Sequence, residues 1–498
     1  MKGDGIVNIL LIYPKFPDTF WSFTYALQFI RKKSAYPPLG LLTVAALLPE
    51  EWPKRLVDEN IDELRDEDLA WADLALVGAM AVQHKSAVNI IDRCKDKGLK
   101  IVAGGPLFTA EPNAFEQVDY LVLDEAELTL PAFLEDFKNG RPKKIYRASG
   151  FCDLHRTPIP SWHLVRMKKY ASMSIQFSRG CPFNCDFCNV TILFGHRARM
   201  KAPRQVIAEL DRIYDAGWRS NIFFVDDNFI GNKQYLKVQL LPALIEWRKD
   251  KKGCVFFTEA SINLADDPEL LDMMVTAGFD SVFIGIESPD EVSLTECRKT
   301  QNKNRNLLQN VKTIHRAGLQ VMGGFIVGFD SDTPSTFQRQ IDFIQKSGIV
   351  TAMVGMLQAP PGTRLFDRLQ KEKRVVRAFS GDNVDGTTNI VPKMGMDRLL
   401  DGYRSIMKQI YSPRNFYRRV RNFLIELRPP DITVPMDFKR FLAFFHSGFK
   451  LGILGKERFQ YWHLLLWTLI RRPRQVPLAV TLAIYGYHYR KICELYIL

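Results

Sequence analysis

The chain has 498 residues, 46% of them hydrophobic and 25% charged, and 68 Lys and Arg against 55 Asp and Glu give a formal net charge of +13. That balance excludes an intrinsically disordered chain, and the length exceeds what one ordinary core fills, so two or three domains are expected. The positive charge points to something acidic, a membrane surface or a charged cofactor; no RNA- or DNA-binding motif accompanies it, so no nucleic-acid partner is expected. No stretch reaches about 18 uninterrupted apolar residues. Met1-Lys2-Gly3-Asp4-Gly5 leads straight into a strand-like segment without a signal peptide, and eight cysteines fit a reducing compartment. The expected location is the cytoplasm, with peripheral contact to the inner membrane.

Residues 1–150 read as a doubly wound, Rossmann-like parallel sheet. Val7 to Tyr13 is an apolar run ending at Pro14, and further runs fall at Leu74 to Gly78, Lys100 to Val102 and Tyr120 to Leu123. Helix-like stretches at Leu39 to Leu48, Lys85 to Lys97 and Glu127 to Asn139 lie between them. Strands alternating with helices imply a sheet covered on both faces, with ligands at the strand carboxyl ends. The loops there are Gly104-Gly105-Pro106 and Asp124-Glu125-Ala126-Glu127. Residues 151–171, with Pro158-Ile159-Pro160, form a stiff linker.

Ser174 to Ser178 alternates like a strand and leads into Arg179-Gly180-Cys181-Pro182-Phe183-Asn184-Cys185-Asp186-Phe187-Cys188, three cysteines within eight residues. An irregular loop can turn several thiolates toward one centre, which a strand cannot. Soft thiolates suit zinc, copper(I) or an iron–sulfur cluster. Zinc needs a fourth ligand; His196 is the nearest, and a three-Cys, one-His site stays open at this point. A four-iron cluster held by three cysteines leaves one iron free for a ligand.

Residues 172–375 continue as strand and helix. Strands at Asn221 to Val225, Val255 to Glu259, Ser281 to Ile286, Gln320 to Val327 and Thr351 to Leu357, with the one before the cysteines, make six βα units: a partial (β/α)6 TIM-type barrel. Polar residues gather at the strand ends: Asp226-Asp227-Asn228, Glu259, Glu287-Ser288, and Gly323-Gly324 within the fifth strand. Carboxylates can fix an ammonium or ribose hydroxyls, and glycines admit an adenine edge; singly, each acid could equally cap a helix. Asp330-Ser331-Asp332-Thr333 resembles a metal loop only superficially, because Asp332 or Thr333 suits a helix cap before Pro334.

Residues 376–498 form a mostly helical, basic and aromatic unit. Arg414 to Arg428 and Phe438 to Phe449 mix cations with rings, and Tyr461 to Ile470 and Val476 to Ile484 are apolar stretches of about ten residues, too short to cross a bilayer. A helical cap over the barrel mouth is one reading. A surface that meets a bilayer or admits a large apolar substrate is the other.

The Cys181-x3-Cys185-x2-Cys188 spacing, with Phe187 before the last cysteine, resembles the signature of the radical S-adenosylmethionine (SAM) enzymes. The resemblance implies a [4Fe–4S] cluster on Cys181, Cys185 and Cys188, with SAM on its open iron. It implies SAM contacts at Phe187, Asp226, Asp227, Asn228, Glu259, Glu287, Ser288, Gly323 and Gly324. The first 150 residues are similar to the cobalamin domain of cobalamin-dependent members; Pro38, Gly40, Gly104, Gly105 and Glu125 are the implied cobalamin contacts, although Asp124-Glu125-Ala126-Glu127 departs from the usual Gly-Glu-Gly-Glu. No Asp-x-His-x-x-Gly loop follows the first strand, so no histidine is expected on the corrin's lower face. His84 follows a strand, and reads as a solvated loop residue. The tail is similar to the C-terminal domain of hopanoid C-methylases and related bacteriochlorophyllide methyltransferases.

The activity implied is C-methylation of an unactivated carbon in a large apolar substrate, with a reductase, flavodoxin or ferredoxin as electron donor. A bacteriochlorophyllide-type tetrapyrrole is slightly preferred over a hopanoid or other polycyclic lipid, since Lys and Arg suit a propionate. A radical-SAM cyclase or carbon-coupling enzyme, and a redox- or corrin-sensing module that docks on membranes, are the alternatives.

Overall fold

The structure, a computed structural model, describes residues 6–382, 384–428 and 438–498; Met1–Gly5 lie outside them. Six parallel strands form the first sheet: β1 (Ile9–Tyr13), β2 (Lys54–Asp58), β3 (Leu74–Gly78), β4 (Lys100–Gly104), β5 (Tyr120–Val122) and β6 (Ile145–Tyr146), in the order β2-β1-β3-β4-β5-β6. Strand alternation sends Leu10, Ile12, Ala75 and Val77 to one face and Ile9, Leu11, Leu74 and Leu76 to the other. Helix His84–Asp96 covers the first face with Ala87, Ile90 and Ile91; helices Leu39–Leu47 and Ala126–Lys138 cover the second with Leu41, Ala45, Leu130 and Phe133. Winding reverses between β1 and β3, which opens a crevice at their carboxyl ends. His84 is the first residue of its helix, its ring 5.4 Å from that of Phe115.

The linker threads back onto this sheet. Tyr170 Oη donates to Asp58 Oδ2 at 2.7 Å in a buried setting, and Ser34 bridges to Tyr170 in parallel register.

A second sheet follows: β7 (Met173–Ile175), β10 (Asn221–Phe224), β11 (Val255–Glu259), β12 (Phe279–Glu287), β13 (Gln320–Val327) and β14 (Ala352–Met356), all parallel and adjacent in chain order. Six strands without closure make the open barrel. Between β7 and β10 the chain forms a short antiparallel pair, β8 (Ser178–Arg179) with β9 (Arg199–Met200), which frames the cysteine loop. Thr333 stands at the N-cap of helix Pro334–Ser347, with proline in the first turn.

The tail contributes helices Met396–Ile410, Pro413–Glu426, Phe438–Gly452, Arg458–Arg471 and Val476–Ile492. The last is longer than its apolar run, because Tyr485, Tyr489 and Arg490 find buried partners. Phe23 lies 5.2 Å from Tyr485, Phe20 lies 5.7 Å from Tyr489, and Arg490 pairs with Glu457. Tail and N-terminal segment therefore pack together beside the barrel.

Candidate functional site

The cysteine loop is shaped by backbone contacts that do not involve its thiols. Gly180 has φ +94°, and a Cβ there would lie 2.5 Å from Arg197 O, so glycine is required. Cys181 N donates to Gly195 O (3.2 Å), Asp186 N to Cys297 O (3.0 Å), and Leu365 N to Asp186 O (3.0 Å). Burial pushes all three thiols up, Cys188 to about 12; Cys185 further raises Cys181 and Cys188, Cys181 raises Cys188, and Lys299 opposes the shift at all three. The three sulfurs thus share one electrostatic neighbourhood. Among the described residues no set of three or more His, Cys, Asp or Glu side chains, the three cysteines included, is already gathered as a metal site, and His196 is exposed.

The carboxylates after β10 are committed to this loop rather than to open space. Asp226 accepts from Phe177 N (3.2 Å), from Ser178 Oγ (2.6 Å) and from Ser178 N; Asp227 accepts from Gly180 N at 2.9 Å. Asn228 Nδ2 donates to Ser261 Oγ (3.2 Å) and approaches Cys181 Sγ at 4.0 Å. Burial pushes Asp226 up to about 7 and Asp227 up to about 6, against the pull of these donors.

Opposite lies Glu287, paired with a lysine that sequence reasoning missed. Lys299 Nζ donates to Glu287 Oε1 at 2.7 Å, both largely buried. Burial would lower Lys299, but Glu287 and the thiols of Cys185 and Cys188 outweigh it and hold the ammonium above its ordinary value. Glu287 adopts φ +61° after a register shift in β12, and a Cβ at Gly285 would lie 2.3 Å from Glu287 Oε1, so Gly285 makes room for the pair. Gln301 Nε2 donates to Cys185 Sγ (3.7 Å), and Asn302 Nδ2 holds the carbonyls of Gly285 and Ile286 at 3.0 Å each.

A cavity of about 1310 Å³ extends from the first sheet to Phe187 and Glu287 beside this centre; Cys181, Cys185, Cys188 and Lys299 are not in its wall. It exceeds the roughly 300–1,000 Å³ of a single-ligand pocket and has room for more than one occupant. Its walls include Pro38, Gly40, Gly104, Gly105 and Glu125 from the sheet, Phe187 from the cysteine loop, and Glu259, Glu287 and Gly324 from the barrel. Asp226, Asp227, Asn228, Ser288 and Gly323 are not in the wall. Ser288 Oγ accepts from Asp290 N in a turn (3.1 Å), and Gly323 faces outward, where a Cβ would meet Phe325 and Ile349. At Gly105, φ is +94° and a Cβ would sit 3.2 Å from Ala79 O, which leaves bare backbone for a broad ligand. Aromatic rings line the middle: Trp21 is 4.8 Å from Phe283, and Tyr36 5.3 Å from Phe223. No histidine lines this wall.

Glu125 also works as a clamp. Its carboxylate accepts from Arg179 Nη1 (3.1 Å) and Arg199 Nη2 (2.8 Å), and Glu127 accepts from Arg179 Nη2 (2.7 Å). The sheet's carboxyl-end loop is thereby fixed to the residue two before Cys181.

The residues fit the implied groups: a half-buried trio of thiols with a fixed cation suits a cluster, and a wide, glycine-edged cavity suits a corrin. The Radical SAM superfamily profile matches residues 175–344, and a domain of unknown function, DUF4070, matches 363–497. The chain is 38% identical over 497 residues to an uncharacterized methyltransferase of Synechocystis sp., covering 98% of this chain and 92% of the relative. It is 34% identical over 485 residues to the hopanoid C-2 methylase of Rhodopseudomonas palustris (94% and 91%). It is 25% identical over 399 residues to the bacteriochlorophyllide d C-12(1)-methyltransferase of Chlorobaculum tepidum (77% and 84%). Among solved structures, the cobalamin-dependent SAM radical enzyme OxsB with aqua-cobalamin bound superposes with TM-score 0.60 at 14% identity, covering 98% of this chain and 80% of that one. The SAM methyltransferase TsrM from Kitasatospora setae superposes with TM-score 0.57 at 17% identity (74% and 77%). Both share the fold.

Proposed function

The chain belongs to the cobalamin-dependent radical SAM methyltransferases, and from that premise we propose that it methylates an unactivated carbon of a large, neutral, polycyclic lipid of the hopanoid kind. When bound, the [4Fe–4S] cluster, SAM and cobalamin supply the electron, the hydrogen-abstracting radical and the methyl group. Cys181, Cys185 and Cys188 would hold the cluster. Lys299, steadied by Glu287, presents a fixed cation to an anionic ligand group beside it, and Glu259 an anion to an ammonium or ribose. Phe187 and Gly324 would flank SAM. Asp226, Asp227 and Asn228 support the site indirectly, by moulding the cysteine loop. Pro38, Gly40, Gly104, Gly105 and Glu125 would border the corrin. On this reading residues 1–150 carry cobalamin, 151–171 link, 172–375 carry cluster and SAM, and 376–498 flank substrate entry.

The observation that carries the proposal is the single cavity walled by both the sheet's carboxyl-end loops and the cysteine loop, which would let one substrate carbon face two cofactors. The neutral lipid is favoured because Arg179 is already neutralised by Glu125 and Glu127, and the relative named for a hopanoid matches through the tail. Lys15 and Lys33 on the wall keep a tetrapyrrole propionate as the second reading. A reduced flavodoxin, ferredoxin or reductase would deliver the electron. The protein would work in the cytoplasm against the inner membrane. All eight cysteines are free, which suits a reducing compartment. Among the described residues no helix is long and apolar enough to cross a membrane.

Anaerobic turnover of hopanoid and tetrapyrrole substrates by the reconstituted enzyme decides between readings. Methylation yields S-adenosylhomocysteine and 5′-deoxyadenosine in equal amounts; cyclisation or coupling yields the latter alone. A protein that consumes no SAM with any substrate would instead fit a sensing module.

Binding of SAM is expected to be pH-dependent through Glu259. Burial, then the charges of Asp227 and Asp226, push its carboxyl up to about 8. A cationic ligand favours the ionised form, so free Glu259 must lose a proton on binding below that pH. Affinity therefore rises as pH increases from 6.5 toward 8 and levels off above, by up to about tenfold per pH unit. Titration calorimetry in two buffers of different ionisation heat measures the released proton, and Glu259→Gln should flatten the profile.

A further inference from the structure

Three arginines of helix Pro413–Glu426, at positions 414, 418 and 421, rise one turn after another along one side of a groove of about 350 Å³. His463, Gln460 and Phe459 of helix Arg458–Arg471 form the other side, and Tyr417, 3% exposed with a hydroxyl that finds no partner, lies in the wall. Among the described residues no carboxylate lines the groove. Arg418 donates to the Asn415 amide oxygen (3.0 Å) and Arg421 to the His463 ring (3.4 Å), and among the described residues neither guanidinium pairs with a carboxylate.

The groove borders an apolar face. Phe459 is 72% exposed, and Leu466 and Ile470 continue its stripe at helical spacing, with Ile470 76% exposed. The preceding helix and turn add Phe445, Phe449 and Leu454 to the exposed set. Single exposed hydrophobics are ordinary, but a contiguous face of this kind marks an interaction site. Between residues 442 and 475 the sequence has six Lys and Arg and one acid, Glu457, which is buried against Arg490. An apolar stripe edged by cations and free of exposed acids matches an anionic bilayer.

We propose that this helical pair docks on an anionic membrane, with a phospholipid phosphate seated between Arg414, Arg418, Arg421 and His463 and the Phe459–Ile470 stripe in the acyl boundary. This deepens, and rests on, the reading of a lipid substrate. Helix Phe438–Gly452 reaches the N-terminal segment, where Lys450 Nζ donates to Gln28 Oε1 (3.2 Å), and neighbouring Trp21, Thr24 and Lys33 line the large cavity. The docked face thus lies beside the wall through which a membrane-borne substrate would enter.

Full-length protein should co-sediment with vesicles of 70% phosphatidylcholine and 30% phosphatidylglycerol, and at least tenfold less with pure phosphatidylcholine. Arg414→Gln with Arg418→Gln should weaken partitioning roughly 30-fold, about fivefold per cation. Phe459→Ser with Ile470→Ser should weaken it on both vesicle types. Millimolar inorganic phosphate should not displace the protein; displacement would assign the groove to a free phosphate ligand and overturn the lipid assignment. Equal binding by wild type and the double Gln variant, or no binding by wild type, would also overturn it. Reductive SAM cleavage by both variants, read as 5′-deoxyadenosine, should stay at the wild-type level. Loss of vesicle binding with cleavage intact confirms docking, whereas absent cleavage in wild type would sink the enzymatic reading alone.

Discussion

Cys185→Ala is expected to abolish SAM cleavage and iron–sulfur loading while leaving the fold in place. The loop that carries Cys185 is anchored by Gly180 and by backbone bonds from Cys181, Asp186 and Leu365, none of which uses the Cys185 thiol. Among the described residues that thiol accepts one hydrogen bond, from Gln301 Nε2 at 3.7 Å, so its loss costs the apoprotein no more than about 1 kcal/mol. With two thiolates left, the cluster lacks a ligand and the open coordination position loses its meaning. Cys94→Ala is the control: its sulfur is buried against Ala87 and Ile90 on the far side of the first sheet and should alter neither iron content nor turnover. Iron and sulfide analysis with 5′-deoxyadenosine formation under dithionite measures both. Four irons bound per chain in Cys185→Ala would place the ligands elsewhere and remove the basis of the mechanism.

What could be read from the chain follows the range of the interactions involved. The cysteine trio is local: three ligands within eight residues around a glycine that must take positive φ. Strands β1, β3 and β11 were legible because continuous apolar runs mark burial on both faces. Edge strand β2, with Lys54, Arg55 and Asp58, carries no such run, and β6 has only two residues. Of the strand-end acids, Glu259 and Glu287 line the cavity, and Asp226 and Asp227 do not. After β10 the chain turns so that Asp226 and Asp227 face back to residues 177–180, a partnership 47 to 49 positions apart. For Gly323 and Gly324, strand alternation alone would have allowed only one to face inward, and it is Gly324. Lys299 reaches Glu287 across an intervening helix, Glu291–Glu296, and no local pattern announces that a cation will return to the cluster.

Arg179→Ala should be the most destabilising single substitution near the site, by about 3–5 kcal/mol, because it strands a buried charge. The guanidinium is 11% exposed between Glu125 at 2% and Glu127 at 6%. Without it Glu125 keeps Arg199, but Glu127 keeps no cation, holding the hydroxyl of Thr157 at 2.9 Å and its own backbone N–H. Arg179→Lys retains charge and loses the forked geometry, so it should fall between the two. Burial would raise the Glu127 carboxyl, but Arg179 outweighs it and holds the group below the ordinary carboxylate range. A depressed carboxylate stabilises the fold above the unfolded value of about 4.3, and that stability is lost as pH falls through the lowered folded value. The gap between wild type and Arg179→Ala should therefore be widest near pH 7 and narrow below pH 4. Urea unfolding at both pH values measures it, and a difference under about 0.5 kcal/mol at pH 7 would contradict the clamp. Because the same guanidinium ties the Glu125–Glu127 loop to the residue two before Cys181, Arg179→Ala should also lower cluster occupancy in protein that remains folded. Glu127→Gln, which leaves Arg179 paired with Glu125, should largely preserve it.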